Sequence, residues 1–464
     1  MEVAKQQRAS VGSSCSLPPD ADETDLAYRA ALDWVWSFSA RPRSAAEMAA
    51  QRAIKLERMG ALLAALDHPE RGLPSILVAG TKGKGSTVAM IAACTQAAGL
   101  TTGRYTSPHL INWRERTVIN GQPISTTDVV TLAEVVRRAV DPLPDELGPL
   151  TTFEVGTALT FLYFARASLD IAVVEVGTGG RFDATNMLDP LASVITPISY
   201  DHTPTLGETL SEIAWHKAGV MRTGRPAVSA PQVDEARLVI EREAATLGTH
   251  LEEVGHDWWW TPTPGGIRIE GRQAEPLETA VGLLGAHQRD NATAATGVLR
   301  ALGHAEPRLR ISATAIQTGL ANVEWPGRLQ ILGSEPLVVV DGAHNAASAD
   351  VLRSAIEHNF RFARLHLVLG LSAGKDARGV LHALAPRADT VHLTRSHHER
   401  SAEPSELESL ARSAAPTARV AIHADVGAAL AGALAGAAPD DLIVVTGSLF
   451  LVGETLVWWR RSHR

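Results

Sequence analysis

Short apolar runs and longer stretches of helical periodicity alternate along most of the chain. An apolar run bounded by glycine, proline or polar residues predicts a buried strand. Runs of this kind lie at 76–79, 171–176, 193–196, 337–340, 365–370, 391–394, 419–423 and 442–446. Helical segments separate them, for example 126–140 and 151–164. Strands that alternate with helices indicate a parallel sheet, and therefore the α/β fold class.

The alternating pattern is interrupted twice. Residues 251–278 are typical of short β segments with Gly-Gly and Pro turns, and 322–329 lack periodicity and contain Pro326-Gly327, which suits a domain boundary. The first 25 residues are polar, which predicts a disordered tail. We therefore expect a tail at 1–25, a larger domain at 26–325 and a smaller Rossmann-like α/β domain at 326–464.

The stretch after the first predicted strand has the composition of a phosphate-binding loop. It reads GTKGKGST at 80–87, and an Ala-rich helical segment follows. Strand, glycine loop and helix form the setting in which backbone N–H groups and a helix N-terminus bind phosphate. Lys84 supplies a charge for the β- and γ-phosphates, and Ser86 or Thr87 a hydroxyl near the metal. The glycine spacing departs from the usual P-loop, so an incidental turn is the alternative. The larger domain is thus predicted to be a P-loop, parallel-sheet ATPase domain.

Composition narrows the class of protein. A chain of 464 residues is too long for one core, and a net charge of −8 argues against a general nucleic-acid binder. Cys15 and Cys94 are the only cysteines, which argues against a disulfide or zinc framework and indicates a reducing compartment. No apolar run is long enough for a membrane span, and no signal-peptide core is present. We expect a cytoplasmic protein that binds neither membrane nor nucleic acid.

Several polar residues stand out. Ser107 and His202 follow predicted strands, Glu154 lies near a helix start, Glu175 and Asp183 bracket a Gly-Gly turn, and Lys217 lies inside an otherwise apolar helix. In parallel sheets, ligands gather at the carboxyl ends of the strands. A hydroxyl, carboxylates and an imidazole suit Mg²⁺ when phosphate oxygens complete the shell, and Ser107, Glu154 and His202 would provide them. Each has an ordinary alternative, because a single helix glutamate is more often solvated and a single strand-end histidine more often a hydrogen-bonding group. These residues alone do not decide between a metal site and the ordinary alternatives.

A set of long motifs in a fixed order decides between the readings. They are GTKGKGS at 80–86, YTSPHL at 105–110, TTFE at 151–154, EVGTGGRFDATN at 175–186, YDHTPTLGETLSEIAWHKAGVM at 200–221, GAHQRDNA at 285–292, PGRL at 326–329, DGAHN at 341–345 and GSLFLVGE at 447–454. In this order they resemble the folylpolyglutamate synthases and bifunctional dihydrofolate synthases of the Mur ligase superfamily. The resemblance covers about residues 28–458. Lys82 is a departure, because the family usually has Asn at that position.

The resemblance implies a role for each matching residue. The phosphate loop would bind nucleotide through Gly80, Thr81, Gly83, Lys84, Gly85, Ser86 and Thr87. Further nucleotide contacts would come from Asn291, Arg328, Asp341 and His344. Ser107, Glu154 and His202 match the family's Mg²⁺ ligands, and Lys217 matches a lysine that is carbamylated and can share a second Mg²⁺. The residues expected to act in catalysis are Lys84, Lys217 and His202.

The implied reaction is ATP-dependent amide ligation. A carboxylate of dihydropteroate, or the γ-carboxylate of a folate, attacks the γ-phosphate of ATP, and the amine of L-glutamate then attacks the acyl phosphate. ATP and two Mg²⁺ ions are the expected cofactors, the partners are these small molecules, and a monomer is expected. One alternative is a Mur-type cell-wall ligase, although about 75 residues before the loop are too few for a UDP-binding domain. The other is a P-loop ATPase module, which would not need the cluster at 341–345.

Overall fold

The structure is a computed structural model that describes residues 25–39, 45–272 and 274–463. The predicted tail at 1–25, apart from its last residue, and Cys15 lie outside the described residues. The chain divides into two compact units. The first comprises the described residues up to His109 together with Arg114–Gly282 and His287–Val323. The second comprises Leu110–Trp113, Leu283–Ala286 and the residues from Glu324 onward, so two short segments from the first part of the sequence belong to it.

The first unit alternates strands and helices from its start. Its helices are α1 (Leu26–Trp36), α2 (Ala45–Ala65), α3 (Lys84–Ala97), α4 (Thr126–Val140), α5 (Thr152–Arg166), α6 (Thr203–Leu206), α7 (Leu210–Ala218), α8 (Asp234–Leu247), α9 (Ala286–Ala305) and α10 (Ala313–Asn322). Its strands are β1 (Ser75–Ala79), β2 (Thr102–Tyr105), β3 (Thr117–Ile119), β4 (Gln122–Pro123), β5 (Ile171–Glu175), β6 (Ala192–Ile195), β7 (Ala227–Ser229), β8 (Leu251–Glu253), β9 (Trp258–Thr263), β10 (Gly266–Gly271) and β11 (Ala274–Thr279).

The main sheet of the first unit has eight strands in the order β4-β3-β2-β5-β1-β6-β7-β8. Neighbours from β2 to β8 are parallel, and β3 and β4 add an antiparallel edge. Every residue of β1, β5 and β6 is buried, as expected for strands covered on both faces by helices. Strand β1 lies between β5 and β6, and the chain passes from one side of β1 to the other between these two strands. In open α/β sheets a crevice forms at the carboxyl end of such a strand. A separate antiparallel sheet contains β11, β10 and β9 in that order.

The second unit repeats the alternation on a smaller scale. Its helices are α11 (Ala346–Asn359), α12 (Ala377–Leu384), α13 (Pro404–Ala414), α14 (Val426–Gly436) and α15 (Leu449–Ser462). Its strands are β12 (Gln330–Ser334), β13 (Leu337–Val340), β14 (Leu365–Leu369), β15 (Thr390–Leu393), β16 (Arg419–Ile422) and β17 (Leu442–Thr446). The sheet order is β12-β13-β17-β14-β15-β16, with β12 antiparallel to an otherwise parallel sheet.

The continuous apolar runs of the second unit serve two cores at once. Val339 packs in the core that contains α11, α12 and α13, whereas Val338 and Val340 pack in the core that contains α14 and α15. Successive side chains of a strand point to opposite faces, so a sheet covered on both sides needs apolar residues at every position. The predicted α/β class, with a P-loop parallel-sheet unit followed by a smaller α/β unit, is confirmed. In the described part of the chain, no helix combines the length and apolar character that a membrane crossing requires.

Candidate active site

The phosphate loop lies at the carboxyl end of β1, in the crevice of the larger sheet. Strand β1 ends at Ala79 and helix α3 begins at Lys84, so only four residues join them. Gly83 occupies the position before the helix with φ 84°, a left-handed conformation that glycine adopts without strain. Because Gly83 has no side chain to cap the helix, the first N–H groups of α3 are available to an anion. The predicted strand, glycine loop and helix are all present.

Close packing fixes the shape of this loop. A methyl group added at Gly83 would lie 2.7 Å from Oδ1 of Asn291, which is buried on α9. The amide of Asn291 donates to Gln288 over 2.9 Å, and Gln288 in turn donates to the hydroxyl of Ser86 over 3.3 Å. Asn291 therefore contacts the loop in two ways. Its side chain packs against Gly83, and Gln288 links it to Ser86 by hydrogen bonds. Gly83, Ser86 and Asn291 therefore lie close together.

The other end of the loop is tied to the segment after β6. The backbone N–H groups of Thr81 and Lys82 both donate to the carbonyl of Pro197, over 3.0 and 3.2 Å. The Thr81 hydroxyl donates to the carbonyl of Ser199 over 3.1 Å. That segment continues to His202, which has φ 51° and a side chain that is 55% exposed. Nε2 of His202 lies 3.9 Å from a carboxylate oxygen of Asp201.

Lys217 enters the loop from helix α7. Its Nζ donates to the carbonyl oxygen of Gly80 over 2.8 Å, and the side chain is 4% exposed. Burial, followed by repulsion from Lys84, lowers the pKa of Lys217 to about 7, although Asp201 and Asp183 act in the opposite direction. A neutral amine is therefore a major form of this side chain near neutral pH.

Lys84 faces a carboxylate at the end of the neighbouring strand. Its Nζ lies 3.8 Å from Oε1 of Glu175, the last residue of β5. The other oxygen of Glu175 accepts a hydrogen bond from the backbone N–H of Ser107 over 3.2 Å. Glu175 is 6% exposed. The carboxylate of Glu175 thus lies between Lys84 and the bend at residues 107–108, which we call the Ser107 turn. This is at the carboxyl ends of the parallel strands β1, β5 and β2.

Glu154 lies in a different environment from the one predicted. Its carboxylate accepts three hydrogen bonds from the guanidinium of Arg58, over 2.9 to 3.0 Å. It also accepts from the N–H and hydroxyl of Thr151 over 2.8 and 2.7 Å, as the N3 member of a capping box at the start of α5. Both side chains of the ion pair are fully buried. Its carboxylate oxygens are thus already occupied by a cation and a helix cap, an environment that favours a structural role for Glu154, and its assignment as a Mg²⁺ ligand stays a prediction.

The remaining predicted nucleotide residues belong to the second unit. The two oxygens of Asp341 accept the backbone N–H groups of Leu329 and Ala343 over 3.0 and 2.9 Å. Burial raises the pKa of Asp341, and the charge of Arg328 opposes this. The ring of His344 shares a hydrogen bond with the carbonyl of Gly342 over 2.9 Å. Asp341 therefore organises the turn that follows β13.

Comparison with known proteins identifies the family. Residues 78–299 match the Mur ligase middle domain, and residues 327–449 match the Mur ligase glutamate ligase domain. The dihydrofolate synthase/folylpolyglutamate synthase of Bacillus subtilis (strain 168) is 34% identical over 417 residues, which are 86% of this chain and 93% of that protein. The chain belongs to the folylpolyglutamate synthase/dihydrofolate synthase family of Mur ligases. The resemblance drawn from the sequence motifs is thereby confirmed.

Solved structures of this family match both units. The structure of E. coli FolC in complex with DHPP and ADP has a TM-score of 0.83 and 28% identity, covering 94% of this chain and 98% of that chain. A bifunctional folylpolyglutamate synthase/dihydrofolate synthase from Yersinia pestis, complexed with AMPPNP and Mn ion, has a TM-score of 0.79 and 30% identity, covering 93% and 97%. The chain spans about half the length of two archaeal relatives, the probable bifunctional folylpolyglutamate synthase/dihydropteroate synthases of Halobacterium salinarum and Haloferax volcanii.

Two residues of the candidate site, Glu175 and Arg58, could not be assigned a role from the sequence. Glu175 is the next-to-last residue of the predicted strand 171–176, which precedes Gly-Thr-Gly-Gly, but the sequence motifs assign it no role. That position is the signal that identifies it, since ligands lie at carboxyl strand ends. Arg58 had no such signal, because nothing near it in the sequence indicates a partner on α5. In the described residues, no three His, Cys, Asp or Glu side chains form a cluster able to hold a metal.

Proposed function

We propose that the chain is a ligase that uses ATP to join L-glutamate to the carboxylate of dihydropteroate, of a reduced folate, or of both. The observation that carries this proposal is the arrangement of Lys84, Glu175 and Lys217 around the phosphate loop. It combines cations for a polyphosphate with a carboxylate for a divalent metal, at the carboxyl ends of parallel strands. The substrates follow from membership of a family whose named members are dihydrofolate and folylpolyglutamate synthases.

Nucleotide contacts are proposed for each unit by itself, at the phosphate loop in the first unit and at the turn after β13 in the second. In the first unit the proposed contacts are Gly80, Thr81, Gly83, Lys84, Gly85, Ser86, Thr87 and Asn291. In the second unit they are Arg328, Asp341 and His344. Lys84 would neutralise the β- and γ-phosphates, and Arg328 a further phosphate. The hydroxyl of Thr87 is buried without a hydrogen-bond partner among the described residues, which suits an added oxygen ligand at this loop.

Mg²⁺ is assigned to Ser107, Glu175 and His202, with Glu175 replacing Glu154. The fit rests on the contact between Glu175 and the Ser107 turn and on hard oxygen donors at the end of the nucleotide loop. When bound, Mg²⁺ would offset the negative charge that develops on the transferred phosphoryl group. The family's second ion is assigned to Lys217, for which the unmodified amine is not a suitable ligand.

Lys217 is proposed to become a carbamate. A neutral amine attacks CO₂ and loses a proton, and the pKa of about 7 makes that form abundant. The product is an anion whose nitrogen keeps one hydrogen, so the hydrogen bond to the Gly80 carbonyl can persist. Modification would turn a repelled cation beside Lys84 into a ligand for a metal.

The reaction proceeds by acyl activation in this proposal. An oxygen of the acceptor carboxylate attacks the γ-phosphorus of ATP, and the bond to the bridging oxygen of ADP breaks. Lys84 balances the charge that develops during this transfer. The amine of L-glutamate then attacks the acyl carbon, loses a proton, and phosphate departs as the amide forms. The chain's own residues mainly bind and orient, and His202, as a metal ligand, is not assigned the part of general base.

The surroundings of the enzyme are also proposed. Cys94 is buried, and burial raises the pKa of its thiol to about 12, so it is an unreactive core residue. A thiol of this kind, with the net charge of −8, supports a cytoplasmic protein that acts on small molecules and binds neither nucleic acid nor membrane. We propose that it acts as a monomer, since each predicted contact comes from this chain.

The experiment that tests the function is ADP release with ATP, Mg²⁺ and L-glutamate, comparing 7,8-dihydropteroate with tetrahydrofolate as acceptor. Release with both acceptors would indicate a bifunctional synthase, and release with tetrahydrofolate alone a polyglutamylating enzyme. No glutamate-dependent release with either, from folded protein that binds ATP, would overturn the proposal. That result would favour a Mur-like ligase with another carboxylate substrate or an ATPase module.

A further inference from the structure

A second cationic group lies beside the Ser107 turn. Strand β2 ends at Tyr105, and the backbone N–H of Thr106 donates to the carbonyl of Arg116 over 3.0 Å. This hydrogen bond places Arg116 directly next to the residues that lead into Ser107. Since Ser107 donates its N–H to Glu175, which faces Lys84, Arg116 is connected to the phosphate loop by a short series of contacts.

Two rings surround the guanidinium of Arg116. Its Nε donates to Nδ1 of His109 over 3.0 Å, and its central carbon lies 5.6 Å from the centre of the Trp36 ring. The rings of Trp36 and His109 are 6.4 Å apart. Because Nδ1 of His109 accepts from a cation, it carries no proton in this arrangement and does not add a charge. We call Trp36, His109 and Arg116 the guanidinium platform.

The charge of Arg116 is not neutralised by an ion pair in the described part of the chain. Its hydrogen bond goes to an imidazole, and no Asp or Glu forms a salt bridge with it. The titratable groups that act on it are Glu115, whose charge raises the pKa of Arg116 against the lowering by burial, and Tyr105, whose pKa burial raises to about 12 so that its hydroxyl stays neutral. Arginine keeps its charge in proteins, so the buried side of this guanidinium favours an anion.

The platform also reaches solvent. Trp36 is 41% exposed, an unusual exposure for a tryptophan, and Arg116 and His109 are partly exposed. A planar guanidinium backed by an aromatic face is suited to bidentate binding of a carboxylate. The observations therefore point to an anionic group that arrives from solvent beside the Ser107 turn.

We propose that the guanidinium platform binds the α-carboxylate of the terminal glutamyl residue of a folate acceptor. This inference rests on the proposed function. A glutamylated folate carries two carboxylates on that residue, and the γ-carboxylate is the one that is activated. Dihydropteroate carries a single carboxylate, which is consumed in the reaction. Arg116 thus serves the polyglutamylation reaction and not the formation of dihydrofolate.

The test compares two acceptors that differ at one group. Tetrahydrofolate and its α-carboxamide, which keeps the γ-carboxylate, are assayed by ADP release with the native enzyme and with Arg116→Gln. The native enzyme is expected to prefer the carboxylate by about tenfold or more in kcat/KM, in keeping with a charged hydrogen-bonded pair. Arg116→Gln is expected to lose this preference and to keep its kcat/KM for dihydropteroate, where the native enzyme accepts it, within about threefold.

A matched control is available on helix α4. Arg137 lies 5.1 Å from the centre of the Trp34 ring, so Arg137→Gln removes a similar cation–π contact away from the Ser107 turn. It is expected to keep the native preference for the carboxylate. If Arg116→Gln does not fold, Trp36→Leu, which changes an exposed part of the platform, is expected to reduce the preference in the same direction.

Three outcomes would overturn the inference. One is a native enzyme that does not distinguish the carboxylate from the carboxamide. Another is an Arg116→Gln variant that retains the preference. A third is an Arg116→Gln variant whose kcat/KM falls equally with every acceptor, which indicates a structural role. A native enzyme that turns over no acceptor fails the proposed function itself, and it is distinguished from these outcomes by the absence of activity before any substitution.

Discussion

The Nζ of Lys217 donates a hydrogen bond to the carbonyl oxygen of Gly80 over 2.8 Å, inside the loop that is assigned to the phosphates. A buried ammonium at this point is repelled by Lys84 and desolvated, which lowers its pKa to about 7. Folded proteins keep such groups where they serve chemistry more often than where they serve stability. The contact therefore links the position of Lys217 to its proposed modification.

Replacing Lys217 by arginine tests this link. Arginine keeps a positive charge but cannot form the carbamate, so we expect kcat to fall by about 100-fold, the scale seen when a metal-site group is lost. ADP affinity is expected to change little, because in the proposed binding mode the phosphates contact the loop and Lys84. Intact-mass analysis under CO₂ should show one added CO₂ on the native protein and none on Lys217→Arg. Full activity of Lys217→Arg would exclude the carbamate.

Two glutamates provide a matched pair for the metal assignment. Glu175→Gln keeps the size of the side chain but removes a charge beside Lys84, and we expect Mg²⁺-dependent ADP release to fall by about 100-fold with little change in the unfolding free energy. Glu154→Gln removes the partner of a buried Arg58, and we expect a loss of about 3–5 kcal/mol of stability. Titration with Mg²⁺ and urea unfolding measure the two effects.

The same two variants also define the results that would contradict the metal assignment. If Glu154→Gln folds as well as the native protein and requires much more Mg²⁺, then Glu154 is a ligand after all. If Glu175→Gln has an unchanged Mg²⁺ requirement, the reassignment of the metal to Glu175 is wrong.

Secondary structure could be predicted where it depends on a pattern of residues that are neighbours in the sequence. Apolar runs such as 171–176 became strands because a sheet covered on both faces needs them, and Thr151 caps α5 as its sequence position indicates. The difference between Glu154 and Glu175 was not predictable, because it depends on Arg58, which approaches α5 from α2. Contacts between distant segments leave no local pattern in one sequence. Residue roles that depend on such contacts need the structure.

Two glycines with nearly the same φ allow the effect of backbone strain to be separated from the effect of a side-chain contact. Gly83 has φ 84° and Gly99 has φ 83°, but only at Gly83 would an added methyl group meet a neighbour, Oδ1 of Asn291 at 2.7 Å. Both substitutions to alanine carry the left-handed penalty of about 1–2 kcal/mol. We expect Gly83→Ala also to displace Asn291 and to weaken ATP binding by about tenfold or more, while Gly99→Ala binds ATP normally.

Calorimetric titration of ATP and urea unfolding check this pair. Equal ATP affinity in the two variants would mean that the contact with Asn291 does not shape the loop. Equal unfolding free energies with different affinities would support the assignment.

The second unit contains a row of histidines that should make its stability depend on pH. His392 on β15 shares a hydrogen bond of 3.0 Å with His423, and the rings of His392 and His366 are 6.2 Å apart. Burial, then the charges of His423, His366 and Arg419, lower the pKa of His392 to about 4. Asp425 opposes a similar lowering at His423, and Asp441 accepts from His366 on the far side.

The sign follows from proton uptake. In the unfolded chain His392 regains a pKa of about 6.5, so the unfolded state binds a proton that the folded state refuses between about pH 6.5 and 4. The contribution of the neutral His392 ring to the free energy of unfolding is fully present above pH 6.5 and is lost as the pH falls from about 6.5 to about 4. We expect the urea midpoint of the second unit to fall between pH 7 and pH 4.5, and to fall less in His392→Phe. His304→Gln, a change at an exposed histidine, should keep the native pH dependence. A midpoint that His392→Phe leaves equally sensitive to acid would show that other groups, and not this row of rings, set the response.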